Sequence, residues 1–427
     1  MTEIRNVVSQ PKAQLDPPAQ RMIGALGGVM FRRGAAMFIV GLAAMLLAGA
    51  FGGEDADRRV LYGYLINFAF VLSIGLGALV FVMIHHVCRT GAVVTYRRVG
   101  EIIAATIPVV GLAALPVLLG LHRIYDWSHD QALQRPMVIG SLHTAWYAPG
   151  SFVIRYVVYL VIWSLMARWF LRVSRRQDES GDEVLTLRMA ARAAPGILLF
   201  ALTVTLFAID FIMSLDPHWF STIFGVYYFA GGFLAAHCVM TLFLLRVQRQ
   251  GLLVQCVNRN HYHDLGKMMF AMTVFWAYIG FSQYMLIWYA NVPEETQWLT
   301  RHGMSTTPGE ANIYSVLAII MLLGHFVIPF LGFMSRHIKR NPKRLGFWAV
   351  WLLVFCWLDL LWLIRPELKG HDHATLAINA IDVIGWAGGL LMLGGLFKMT
   401  LWKVAGGGSL VAEKDPRLPQ ALAFENI

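Results

Sequence analysis

The sequence predicts an all-α integral membrane protein with about ten transmembrane helices. Hydrophobic residues account for 57% and charged residues for only 14% of its 427 residues, and the mean hydropathy is +0.58. A soluble chain of this length would carry about 25% charged residues. The apolar stretches lack the alternating pattern of barrel strands, so each is expected to form a helix.

Ten apolar stretches are long enough to cross about 30 Å of hydrocarbon, which takes about 20 helical residues. The first follows Arg32 and Arg33 and ends in the small residues 48–50, a pattern that resembles a signal peptide. Its polar leader is too long for one, so an uncleaved first helix is expected. The predicted helices are 34–53, 60–84, 101–121, 150–170, 193–213, 223–245, 267–290, 311–334, 345–364 and 377–400.

The basic residues predict the orientation of these helices. With the N-terminus inside, the inner segments hold 27 of the 35 Lys and Arg residues and the outer segments hold 7, with Arg155 at the outer end of the fourth helix. This bias predicts that both termini are cytoplasmic. The net charge of +10 lies between helices, so it indicates membrane lipid rather than nucleic acid as a partner, above all for the loop 336–344.

Two aspartates in apolar helices are the most informative residues of the chain. Asp210 in FAIDFIMSLDP and Asp359 in FCWLDLLWLIRP each precede a proline by seven residues. A carboxyl group in hydrocarbon costs about 2.5–3.5 kcal/mol, which makes both functional candidates, although hydrogen bonding to a neighbouring helix would also explain them. The shared pattern predicts a duplication into two four-helix bundles, helices 2–5 and 6–9, flanked by helices 1 and 10.

This duplication divides the chain into six parts. They are a cytoplasmic N-terminal arm (1–33), the first helix with its outer loop (34–59), the first bundle (60–222), the second bundle (223–376), the last helix (377–402) and a cytoplasmic tail (403–427). We expect a partner to hold the N-terminal arm. The long outer loops 122–149 and 291–310 contain aromatic residues, such as Trp298, and His302; they are expected either to anchor in lipid or to form a docking surface.

Three hypotheses remain for the buried histidines His237 and His325, which are expected at similar depth, about 12 Å from the two aspartates. They could be packing residues, the axial ligands of a haem b, or partners of Asp210 and Asp359 in a proton relay, because histidine titrates near neutral pH. A relay would need waters or hydroxyl groups across the gap. The candidates for those hydroxyls are Thr203, Thr205, Tyr278, Ser282 and Tyr284.

The cysteines and motifs argue against a cofactor in this polypeptide. Its four cysteines, Cys88, Cys238, Cys256 and Cys356, form no CxxC or CxxCH motif, which excludes a c-type haem and makes a cysteine-ligated iron–sulfur cluster improbable. The sequence also has no P-loop, HExxH or GxSxG motif. We therefore predict no metal, no catalytic residue and no redox cofactor of its own.

Three sequence blocks resemble the ActF subunit of alternative complex III, in the wider family of NrfD/PsrC-like membrane proteins. They are SLDPHWFSTIFGVYY (214–228), YHDLGKMMFAMTVFWAY (262–278) and FSQYMLIWYAN (281–291). The ten-helix layout extends the resemblance over nearly the whole chain. The resemblance implies a subunit of a respiratory quinol oxidoreductase in the bacterial inner membrane, which passes electrons to a c-type cytochrome or an oxidase.

The same resemblance implies the partners and leaves the quinone site open. Haem c and iron–sulfur clusters are expected on partner subunits, beside an ActC-like paralogue and a terminal oxidase. A quinone here would use His122, His143 and Asp210 near the outer face, but Arg155 puts a cation where such a pocket would want a carboxylate. We therefore predict a non-redox scaffold whose proton-transfer candidates are Asp210, His237, His325 and Asp359.

Two alternatives differ in class. The chain could be the quinol-binding anchor of a polysulfide-reductase-like complex, or a secondary transporter. Transporters usually contain broken helices near the midplane, whereas most prolines here mark helix ends, with Pro116 and Pro329 inside helices 3 and 8.

Overall fold

The structure, a computed structural model, describes residues 13–53, 55–129, 146, 148–304, 311–369 and 375–426. It confirms the predicted all-α class, because no strand occurs in this part of the chain and a single isolated bridge joins Lys369 and Thr375. Ten helices among the described residues are long and apolar enough to span a membrane. The prediction of a multi-pass membrane protein is therefore confirmed.

We number the ten spans α1 to α10. Their bounds are α1 Ala25–Phe51, α2 Ala56–Val87, α3 Val94–Leu119, α4 Pro149–Ser180, α5 Val184–Phe211, α6 Phe224–Gln248, α7 Arg259–Ala290, α8 Ile313–Met334, α9 Pro342–Ile364 and α10 Ala380–Ala405. Short helices occur at Leu121–Ile124, Pro293–Arg301, Arg336–Arg340 and Leu418–Leu422. Several spans extend beyond the predicted stretches, because charged residues at helix ends remain helical although hydropathy does not count them.

The third span is interrupted within the membrane, which the hydropathy pattern did not show. The hydroxyl of Tyr64 on α2 donates to the carbonyl of Ala113 at 2.6 Å, and the hydroxyl of Tyr156 on α4 donates to that of Gly111 at 2.6 Å. These bonds satisfy carbonyls at the break, as a lipid environment requires. The helical pieces of α3 are Val94–Ala104, Ile107–Leu112 and Leu115–Leu119.

The second span lies at the centre of the molecule. The most apolar window of α2 is fully buried, and α2 packs against α3, α5, α6 and α10. Glycine allows the closest approaches: a Cβ at Gly77 on α2 would overlap the backbone of Gly232 on α6, and one at Gly41 on α1 would overlap the backbone of Met392 on α10. Such small-residue contacts are typical of packed membrane helices.

Both ends of the described chain lie on one face of the helix assembly, which we call the terminal face; the other is the opposite face. Near the N-terminus, Asp16 accepts hydrogen bonds from the backbone N–H groups of Gln255 and Cys256. Near the C-terminus, Asp415 forms a buried ion pair of 2.8 Å with Arg97 at the start of α3. The described parts of both predicted arms therefore pack on their own chain.

Candidate functional site

The carboxyl group of Asp359 on α9 lies in a buried cluster where α6, α7, α8 and α9 meet. The hydroxyl of Tyr227 on α6 donates to Asp359 Oδ1 at 2.5 Å, and Trp276 Nε1 on α7 donates to Oδ2 at 3.1 Å. His325 on α8 stacks on Trp276, with ring centroids 3.9 Å apart. We call Tyr227, Trp276, His325, Cys356 and Asp359 the Asp359 cluster.

Cys356 brings the histidine close to the turn of α9 that carries Asp359. Its Sγ lies 3.7 Å from His325 Nε2, and it precedes Asp359 by one helical turn. His325 is 0% and Asp359 4% exposed. The other ring nitrogen, His325 Nδ1, has no hydrogen-bond partner among the described residues. An imidazole nitrogen in this position can accept or release a proton.

The backbone of α8 widens where it carries His325. Residues Leu322–Val327 form a π-helix, and Pro329 lacks the N–H that would bond to the carbonyl of His325 in a regular helix. Trp351 Nε1 donates to the carbonyl of Gly324 at 2.7 Å, while a Cβ at Gly324 would overlap the Phe355 ring. Such π-helical turns occur frequently at functional sites.

Asp210 on α5 lies in a different environment, because it is paired with a cation. Arg155 on α4 binds both carboxylate oxygens, with Nε 2.9 Å from Oδ2 and Nη2 2.8 Å from Oδ1. Tyr159 adds a third donor at 3.0 Å. The guanidinium of Arg155 also lies 4.2 Å from the ring centroid of Trp146. A two-pronged pair of this kind binds both oxygens of the carboxylate in one fixed geometry.

The two aspartates therefore differ in what they can do chemically. Among the described residues no cation forms a salt bridge with Asp359, and its partners are a hydroxyl and an indole N–H. The Tyr227 hydroxyl can donate to a carboxylate or accept from a carboxylic acid, so this contact persists when the proton arrives. In Asp210, by contrast, Arg155 donates to both carboxylate oxygens.

His237 on α6 is separate from the Asp359 cluster. Its Nδ1 lies 2.8 Å from the carbonyl of Phe233, and its Nε2 has no partner among the described residues. The imidazole packs edge-on against Phe81 of α2, with ring centroids 5.3 Å apart. Its neighbours therefore differ from those of His325, which lies between Trp276 and Cys356, and this arrangement gives no support to a haem held by both histidines.

The two quinone-binding candidates that the structure describes, His122 and Asp210, have different partners. His122 packs beside His129, with ring centroids 5.8 Å apart, and its Nδ1 lies 3.1 Å from Ser128 Oγ. Asp210 forms an ion pair with Arg155. His143 lies outside the described residues. The proposed use of these three side chains stays a prediction.

Two aromatic side chains of the opposite face, Trp298 and His302, are buried and so do not anchor in lipid or form a docking surface. For the rest of the loops 122–149 and 291–310 the expectation stays a prediction, because residues 130–145, 147 and 305–310 lie outside the described part of the chain. Trp298 is 4% exposed and stacks between Trp219 and His302, with centroids 4.0 and 3.8 Å away. Burial lowers the pKa of His302 to about 4. These rings stabilise the connection between α7 and α8 and are closed to solvent and lipid.

Sequence reasoning missed the residues that bridge the predicted gap between Asp359 and His325. Trp276 contacts both side chains; its indole N–H is a hydrogen-bond donor only, so it positions the two groups and does not itself carry a proton between them. Of the hydroxyls proposed, Tyr278 is 63% exposed, and Thr203 bonds to the indole of Trp163 at 2.8 Å. Tyr227 and Trp276 lie in the blocks 214–228 and 262–278 that resemble the ActF subunit, and this resemblance was the sequence feature that could have identified them.

In the part of the chain that the structure describes, no three His, Cys, Asp or Glu side chains are grouped so that they could hold a metal ion. No protein-family model matches the chain, and no curated protein matches it.

Proposed function

We propose that this chain is a membrane subunit of a respiratory quinol oxidoreductase of the alternative complex III type. Its role there is that of an ActF-like scaffold that transfers protons and carries no redox cofactor. Electrons pass through haem c and iron–sulfur clusters of partner subunits to a c-type cytochrome or an oxidase. The complex lies in the bacterial cytoplasmic membrane, and the chain has an ActC-like paralogue as a neighbour.

One observation carries this proposal. Two sequence blocks that resemble the ActF subunit, 214–228 and 262–278, supply Tyr227 and Trp276, which are the hydrogen-bond donors to Asp359. The blocks lie on different helices and meet at a single buried carboxyl group. Intramembrane acids are expensive, and such residues mark proton relays in many membrane proteins.

Within this function, Asp359 and His325 form the proton-transfer site, and Asp210 has a structural role. A relay residue must hold a proton in one state and lose it in another. Asp359 has a neutral hydrogen-bond partner, Tyr227, that can bond to the carboxylate and to the carboxylic acid, whereas Asp210 forms an ion pair with Arg155. His237 is placed on α6 beside Phe81 and His85, where it would serve a separate step nearer the terminal face.

The two-bundle arrangement and the orientation belong to the same proposal. The first bundle comprises α2 to α5 and the second α6 to α9, with α1 and α10 on their flank. The Asp359 cluster draws residues from all four helices of the second bundle, and the contact of Gly77 with Gly232 lies between the bundles. The excess of Lys and Arg on the terminal face supports a cytoplasmic location for that face.

Purification from native membranes tests the proposed function. With a tag at the N-terminus, away from Asn426, which bonds to Lys267, the chain is expected to elute with c-type haem and iron–sulfur proteins. The eluate should oxidise a water-soluble quinol and reduce cytochrome c. Elution as a single polypeptide under mild detergent, without these activities, would contradict the proposal.

Orientation is tested with a matched pair of exposed glutamines. Gln250 follows α6 on the terminal face and Gln297 lies on the opposite face. In a Cys88→Ser background, which removes the exposed native thiol, Gln297→Cys should react with a membrane-impermeant maleimide in intact spheroplasts. Gln250→Cys should react only after lysis. The reverse pattern would invert the topology.

One observation favours a second function, that of a secondary transporter. The breaks in α3 at residues 105–106 and 113–114 lie within a membrane span, and discontinuous helices often form substrate sites. Here, however, the hydroxyls of Tyr64 and Tyr156 already satisfy carbonyls beside one break. Uptake of a solute by vesicles containing the chain alone would support the transporter.

A further inference from the structure

A cavity of about 470 Å³ opens on the terminal face between the end of α6 and the start of α9. Three cations line it: Arg246 and Arg249 on α6 and Lys343 on α9. None of the three forms a salt bridge with a described residue, whereas Arg97, Arg98 and Arg417 of the same face do. The cavity therefore has positive charge that the described residues do not neutralise.

Nearby charges increase this positive field. Lys398 on α10 lies within electrostatic range of both Arg33 on α1 and Arg246. The helix dipole of α9 adds partial positive charge at its first turn, beside Lys343. The arrangement favours an anion with more than one oxygen acceptor, such as a phosphate, because arginine and lysine both bind phosphate oxygens well.

Below the cations, the cavity becomes apolar on both walls. On α9, Lys343 is followed at helical spacing by Phe347 and Val350, which are 59% and 51% exposed. On the antiparallel α6, Leu242 precedes Arg246 by one turn. On both helices the charged residues lie at the membrane surface and the apolar residues lie deeper. A phospholipid has the same order of groups, with a charged headgroup above its acyl chains.

Gly346 lines the cavity where α6 and α9 come closest. A Cβ there would lie 2.6 Å from Leu245 Cδ1, so α6 and α9 are in direct contact below the opening. A headgroup can therefore rest between the cations while its acyl chains run over Phe347 and Val350 at the membrane surface. A soluble anion would gain nothing from that apolar stripe.

We propose that this cavity is a binding site for an anionic phospholipid, in which Arg246, Arg249 and Lys343 bind the phosphate group. The site does not depend on the proposed respiratory function. It ties the ends of α6 and α9, the two helices that carry Tyr227 and Asp359, to one lipid molecule. Each cation near a membrane surface strengthens the binding of anionic lipid about fivefold.

Native mass spectrometry of the purified full-length protein tests the site. Delipidated protein is titrated with phosphatidylglycerol or with phosphatidylcholine in mixed micelles. The parent should bind phosphatidylglycerol preferentially, and Arg246→Gln/Arg249→Gln should weaken this binding about 30-fold. The control Arg172→Gln/Arg188→Gln removes two exposed arginines of the terminal face outside the cavity and should change binding less than about twofold.

A third variant and a competitor complete the test. Lys343→Gln changes one exposed side chain and leaves the Asn341 cap of α9 in place, so it should weaken lipid binding several-fold without affecting folding. Equal losses in the cavity and control variants would show general surface attraction and overturn the site. Displacement of the lipid by inorganic phosphate at equal concentration would overturn it too, because the apolar stripe would then contribute nothing.

Discussion

Replacing Arg155 with methionine is expected to lower the free energy of unfolding by about 3–5 kcal/mol, because removing one partner of a buried ion pair leaves the other charge uncompensated. Asp210 is 2% exposed and accepts two of its three side-chain hydrogen bonds from Arg155. The loss should appear in detergent as a lower midpoint of thermal unfolding, followed by size-exclusion chromatography of heated samples.

Two controls separate this effect from a general loss of charge. Arg123→Met breaks the ion pair with Asp57, whose side chains are 65% and 44% exposed, and should cost less than about 1 kcal/mol. Arg155→Met/Asp210→Leu removes both buried charges and should recover most of the stability. An Arg155→Met protein as stable as the parent would show that the pair does not hold α4 to α5.

The membrane spans could be predicted from the sequence because burial in lipid demands long apolar runs, and nothing else in the chain produces them. The breaks in α3 do not show in hydropathy. Their sequence signal is Pro108 and Pro116, which lie at the start of the second and third pieces of α3 and cannot donate a backbone hydrogen bond. The hydroxyls of Tyr64 and Tyr156 that bind carbonyls there come from two other helices and could not be predicted. The packing of the tail through Asp415 and Arg97 likewise joins residues far apart in sequence.

The site was predictable in its centre but not in its surroundings. Asp359 stands out because a carboxyl group among apolar residues has few explanations. Tyr227 and Trp276 do not stand out, since aromatic residues are common in membrane helices. The apparent symmetry of the two aspartates was misleading in one respect: the sequence motif repeats, yet only Asp210 has Arg155 beside it.

Replacing Asp359 with asparagine is expected to reduce proton translocation by the assembled complex at least tenfold while leaving assembly intact. Asparagine cannot carry the proton, and loss of a proton-transferring group commonly costs about 10²–10⁴ in rate. The cluster should keep its hydrogen bonds, because the Asn amide can donate to Tyr227 while its oxygen accepts from Trp276. Assembly is read from co-purification of the partner subunits.

The double variant Arg155→Met/Asp210→Leu is the matched control, because it removes the second aspartate of the repeated sequence pattern together with its cation. If the account is right, this variant translocates protons as the parent does. His325→Phe, which keeps a ring beside Trp276 but has no nitrogen, should resemble Asp359→Asn.

The central claim is that the Asp359 cluster, and not Asp210, transfers protons during quinol oxidation. The most direct measurement is the number of protons moved per electron, recorded as the pH change outside vesicles that contain the purified complex. For Asp359→Asn, we expect the ratio to fall to the value recorded with the parent complex in the presence of an uncoupler. For Arg155→Met/Asp210→Leu, we expect the ratio to equal that of the parent. If the assembled Asp359→Asn complex moved as many protons per electron as the parent, the claim would be contradicted and Asp359 would be a packing residue.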